Sequence, residues 1–85
     1  MLRRYWFTFE IAFGDPLFDG CGITAYGRQD AMLVLRDQVF VGKSPDQIPR
    51  ITSIDEDVDM AGLKPNIRAN MGSALVRGVW FPKGF

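Results

Sequence analysis

The 85-residue chain predicts an α+β fold: an antiparallel sheet of about four strands with one main helix packed on one face, in the order β-β-α-β-β. Three observations carry that expectation. The opening segment alternates apolar and mixed positions with a period of two, residues 28–41 switch to a helical period, and the remaining apolar runs are short and bounded by glycine, proline, asparagine or aspartate. A chain of this length forms one domain, residues 1–85, and buries only roughly 60 to 65% of its unfolded surface. No repeat, low-complexity tract or interdomain linker interrupts it.

The first strand is the clearest element. Tyr5, Phe7, Phe9, Ile11 and Phe13 share one side, and Trp6, Thr8, Glu10 and Ala12 the other, as in a strand half buried against a core. Gly14, Asp15, Pro16, Asp19 and Gly20 punctuate the chain. A second strand is expected over Cys21–Tyr26, with Cys21, Ile23 and Ala25 inward and Gly22, Thr24 and Tyr26 on the sheet's outer face. From Arg28 to Val41, a stripe of Ala31, Met32, Leu35 and Val39 predicts an amphipathic helix, with Asp30 in the first turn and Gly42 as the stop. Leu33 and Phe40 fall outside that stripe and are expected under a covering loop or at a contact surface.

Ser44 to Pro49 reads as a connector, and Ile51 to Glu56 as a third, weakly alternating strand. Met60 to Ser73 carries Pro65, Asn66, Asn70 and Gly72, which predict irregular chain with one short helical turn. Leu75 to Phe81 is expected as the last strand, with Leu75, Val79 and Phe81 alternating with Val76, Gly78 and Trp80, and with Pro82 and Gly84 ending it.

Composition excludes more functions than it selects. Histidine is absent and cysteine occurs once, so serine–histidine and cysteine–histidine catalytic sets cannot form and zinc has no plausible ligand set. No enzyme activity and no cofactor are expected. Cys21, between two glycines, has inward parity and is expected to be inert. The acidic segment offers oxygen ligands but lacks the spacing and internal glycine of a calcium loop, so no metal site is expected. Ten basic residues balance ten acidic ones, whereas generic binders of nucleic acid or anionic membranes carry a basic excess. The apolar runs are far shorter than a membrane span. No signal-peptide core is evident at the N-terminus, and the lone cysteine suits a reducing compartment. Cytoplasmic location is expected, with no membrane partner.

The charge is sorted by position. Asp55, Glu56, Asp57 and Asp59 place four acids in five residues, and Met60 to Phe85 contains none. Lys64, Arg68, Arg77 and Lys83 instead interleave there with Trp80, Phe81 and Phe85. The acidic run can serve as a docking surface or simply as a solvated strand end. The basic, aromatic ending matches what single-stranded nucleic acid needs, with rings for stacking and cations for phosphate, but also what the core of a small domain needs.

Several segments together are similar to a group of small bacterial proteins. They are Tyr5-Trp6-Phe7, the run Gly20 to Tyr26 leading into Asp30-Ala31, Glu56 to Met60, Asn70-Met71, and Arg77 to Phe85. The likeness spans nearly the whole chain and resembles immunity proteins of toxin–immunity systems, including contact-dependent growth inhibition. It implies a cytoplasmic protein that binds and neutralises a cognate toxin domain, a nuclease in many such systems, and it transfers no catalytic motif. On that reading the candidate contact residues are Asp55, Glu56, Asp57 and Asp59, together with Tyr26, Arg77 and Trp80. Two other classes stay open. A nucleic-acid-binding module would rest on Arg68, Arg77, Lys83 and Trp80, and a homo-oligomer subunit on Leu33 and Phe40.

Overall fold

A computed structural model describes all residues, 1–85. Four strands, β1 (Arg3–Phe9), β2 (Cys21–Ala25), β3 (Ile51–Glu56) and β4 (Gly78–Phe81), form one antiparallel sheet in the order β3-β1-β2-β4. Helix α1 (Arg28–Val34) runs on without a break into a wider turn over Leu35–Val39, closed by the Phe40 N–H donating to the Leu35 carbonyl, five residues back. Gly42, at φ 73°, then ends the helix. A short helix α2 (Pro65–Ala69) and two single turns of tighter helix, Pro45–Gln47 and Met60–Gly62, complete the chain. The predicted α+β architecture and element order are therefore those of the protein.

The alternation in β1 has the expected consequence. Tyr5 and Phe7 are fully buried and Phe9 nearly so, against Cys21, Ile23 and Ala25 of β2 and Ala31, Val34, Leu35, Val39 and Phe40 of the helix. Phe9 and Phe40 meet edge to face, with ring centroids 5.7 Å apart, so Phe40 belongs to the core rather than to a free surface. Two positions differ from expectation. Met32 is exposed and Val34 takes its place inside, because the wider turn over Leu35–Val39 brings Val39 back over Ala31 and Leu35, so that the buried face centres on residues 31, 34 and 35 and leaves Met32 beyond its edge. Phe13 is 88% exposed because β1 ends at Phe9, so the alternation beyond it has no sheet to alternate across.

The other face of the sheet departs most from expectation. Gly22 and Thr24, expected on an outer face, are buried, and only Tyr26 is exposed. The chain between Met60 and Arg77 is laid over them. The Thr24 hydroxyl donates to the Ala74 carbonyl at 2.7 Å, the Gly72 N–H to the Trp80 carbonyl at 2.7 Å, and the Lys83 N–H to the Asn70 carbonyl at 2.8 Å. A second core of Ile67, Ala74, Trp80 and Phe81 results, flanked by Trp6, Met60, Leu63 and Met71. Gly22 is required there, since a Cβ at that position would lie 2.6 Å from three atoms of the Trp80 ring. The sheet thus has a helix on one face and an irregular layer on the other.

β4 is shorter than expected. It begins at Gly78, leaving Leu75 and Val76 exposed. Gly22 pairs with Phe81 and Ile23 with Val79, so Trp80 is an extra residue at a bulge. That irregularity turns both Trp80 and Phe81 into the second core, which simple alternation would have separated.

Candidate functional site

Register places the acidic run. β3 pairs with β1 so that Glu56 lies opposite Tyr5 and Asp55 opposite Trp6. Directly paired residues share a face. Asp55 therefore stands beside Trp6 on the face carrying the second core, whereas Glu56 falls on the helix face, where its carboxylate lies 3.4 Å from Arg28 Nε. Asp57 adopts φ 55°, turning the chain out of the strand. It accepts from Arg3, whose Nε lies 2.9 Å from its Oδ1, and that guanidinium lowers its carboxyl pKa. Asp59 opens the Met60–Gly62 turn by accepting from the Ala61 N–H at 3.0 Å.

These residues border a groove of about 640 Å³. Trp6, Val58, Leu63 and Ile67 give it an apolar lining, and Asp19, Asp55 and Asp59 border it as free acids; Glu56 and Asp57 also border it but commit their carboxylates to Arg28 and Arg3, and Gly62, Lys64 and Asn66 complete the rim. Trp6 is held in place by its neighbours: its ring centroid lies 5.7 Å from Trp80 and 5.3 Å from Phe81, in both cases tilted. Asp19 comes from a distant stretch of sequence, the turn before β2, and joins the groove because Gly20 follows it at φ 116° and passes against the Trp6 indole. Arg3 and Arg28 neutralise two of the five carboxylates. Asp19, Asp55 and Asp59 have no ion-pair partner, and Lys64, the one cation of the lining, pairs with none of them. No three acids converge as a metal-binding set.

The other sequence-predicted contact residues lie elsewhere. Arg77 donates to both oxygens of Asp30, with Nε–Oδ2 at 2.9 Å and Nη2–Oδ1 at 2.7 Å. Asp30 also accepts from the Tyr26 N–H at 3.0 Å. Hydrogen bonding from Arg77 and then from Tyr26 lowers the Asp30 carboxyl to about 2. Tyr26 and Arg77 thus meet at the start of α1, where Tyr26 presents an exposed ring, and neither lines the groove. Trp80 is fully buried and offers no contact surface. Its place as a candidate contact residue passes to Trp6, which sequence reasoning missed together with Asp19. The parity of β1 contained a signal for Trp6, an aromatic on the side opposite Phe7, but its pairing with Asp55 depends on the strand order.

The basic, aromatic ending also changes meaning. Trp80 and Phe81 are buried and Arg77 is committed to Asp30, so two of the three rings and one of the cations of a nucleic-acid surface are engaged internally, while Phe85 stays exposed. Cys21 is buried as expected, and loss of solvation pushes its thiol up to about 12. No helix is long and apolar enough to cross a membrane.

No family model matches the chain, and neither a curated protein nor a solved structure is significantly similar to it.

Proposed function

We propose that this protein is a cytoplasmic immunity protein that binds a cognate bacterial toxin domain of the nuclease kind and neutralises it by covering its basic active-site surface. The observation that carries the proposal is the groove: carboxylates from two separated segments, Asp19 on one side and Asp55 and Asp59 on the other, border an apolar lining without ion-pair partners. A solvated strand end needs neither the apolar lining nor the contribution of Asp19. A nuclease cleft is built to hold phosphate, and a rigid, preorganised array of carboxylates satisfies the same cations without being cleaved. The field of such an array also speeds encounter. The partner class is the one that the resemblance read in the sequence implies.

Such inhibition needs no chemistry from the inhibitor. This accords with a chain that lacks histidine and holds its one thiol protonated. The test is co-expression with candidate nuclease toxin domains encoded by neighbouring genes. The intact protein should restore growth and co-purify with the toxin, and the triple variant Asp19→Asn/Asp55→Asn/Asp59→Asn should fail at both while remaining folded. A toxin that neither co-purifies nor is neutralised would overturn the proposal.

A further inference from the structure

The groove's chemistry is more selective than a negative surface. Of the five acids that border it, Glu56 and Asp57 are paired with Arg28 and Arg3, and Lys64 is the one cation set against Asp19, Asp55 and Asp59, so the groove stays net negative and repels anionic ligands. Its apolar part includes one aromatic ring beside the aliphatic Val58, Leu63 and Ile67: Trp6 is only partly buried and is braced by Trp80 and Phe81. Asp55 stands beside Trp6 across the β1–β3 pair, and Asp19 immediately precedes Gly20, the residue packed on the indole. An indole flanked by unpaired carboxylates from two segments suits a flat cation. Arginine is that cation among side chains, because its guanidinium stacks on an aromatic ring while its N–H fork bonds carboxylates. Lysine, a strongly hydrated point charge, gains less from the ring. The volume of about 640 Å³ exceeds one side chain and admits a short loop around it.

We infer that the groove receives an arginine-bearing loop of the partner protein, with the guanidinium over Trp6 and between Asp19 and Asp55. The inference rests on the inhibitor reading and specifies the contact within it. It is tested on the intact protein by nuclear magnetic resonance at low salt, with capped tri-arginine, tri-lysine and tri-citrulline peptides as probes. Tri-arginine should shift the Trp6 indole N–H saturably, leave that of buried Trp80 in place, and bind at least three-fold more tightly than tri-lysine. Tri-citrulline should produce no shift. Asp19→Asn/Asp55→Asn should weaken tri-arginine binding about ten-fold with the rest of the spectrum preserved. Equal affinity for tri-lysine, or undiminished binding by the double variant, would overturn the inference. The inhibitor reading would survive either result, because it stands or falls on capture and neutralisation of the toxin.

Discussion

Gly20 is packed so closely against Trp6 that a Cβ added to it would fall 2.4 Å from the indole Nε1 and 2.8 Å from the Phe7 carbonyl oxygen. Two unrelated requirements meet at this residue. Its φ of 116° is one that side-chain-bearing residues rarely adopt, and its missing side chain leaves the space that the indole fills. The same contact fixes the orientation of Trp6 and delivers Asp19 to the groove.

Gly20→Ala should therefore destabilise the protein by about 2 to 4 kcal/mol, combining backbone strain with overpacking against a carbonyl that cannot yield. Urea denaturation measures the loss, and the indole N–H resonance of Trp6 should move in whatever fraction remains folded.

Phe7 is fully buried, and Phe7→Ala should cost about 3 to 5 kcal/mol, a large share of the stability of a domain this size. Thr8→Ala should cost under about 1 kcal/mol, because Thr8 uses its backbone carbonyl, not its side chain, to accept from Thr52. Thermal unfolding of the two variants compares them directly. A reversed order would mean that β1 is out of register.

The pairing of Asp30 with Arg77 predicts a pH dependence. The carboxyl is held near 2 in the folded chain and near 3.8 without its partners, so its contribution is present above pH 4 and is lost as pH falls towards 2. Asp57, lowered by Arg3, acts in the same direction. Denaturation midpoints measured from pH 5 to 2 should fall, and Asp30→Asn should flatten part of that decline.

Cys21 should resist alkylation by iodoacetamide at pH 8 while the protein is folded, since the thiol is buried and its pKa is pushed up to about 12. Labelling in increasing urea should follow unfolding. Rapid modification of the folded protein would contradict the inward parity of β2.

The helix face of the sheet was legible in the sequence because its cause is local. Period-two alternation in Tyr5, Phe7 and Phe9 and helical spacing in Ala31, Leu35 and Val39 dictate which residues turn inward. The opposite face was not legible. Gly22 and Thr24 look like an outer row until the Met60–Arg77 segment covers them, and that segment is held by long-range bonds such as Thr24 to Ala74 rather than by any period of its own. Trp80 and Phe81 share one core only because of the bulge in β4. The candidate site divides in the same way. The acidic run was visible, but the strand register sends Asp55 and Glu56 to opposite faces, and nothing local to Asp19 or Trp6 announces that they meet it.

The central claim is that the groove's unpaired carboxylates dock on a basic toxin surface, and association kinetics test it most directly. A toxin domain captured by this protein, in a catalytically inactive form, would be immobilised and met by the intact protein and by Asp55→Asn/Asp59→Asn at 50 and 500 mM salt. Asparagine at position 59 retains an acceptor for the Ala61 N–H, and exposed charges contribute little to stability, so folding should be preserved. The intact protein should associate at least about ten-fold faster than the variant at low salt and lose most of that advantage at high salt, with dissociation changing less, because exposed charges act chiefly on encounter and are screened within about 10 Å at 0.1 M ionic strength. Identical association rates for the two proteins at both salt concentrations would contradict the claim.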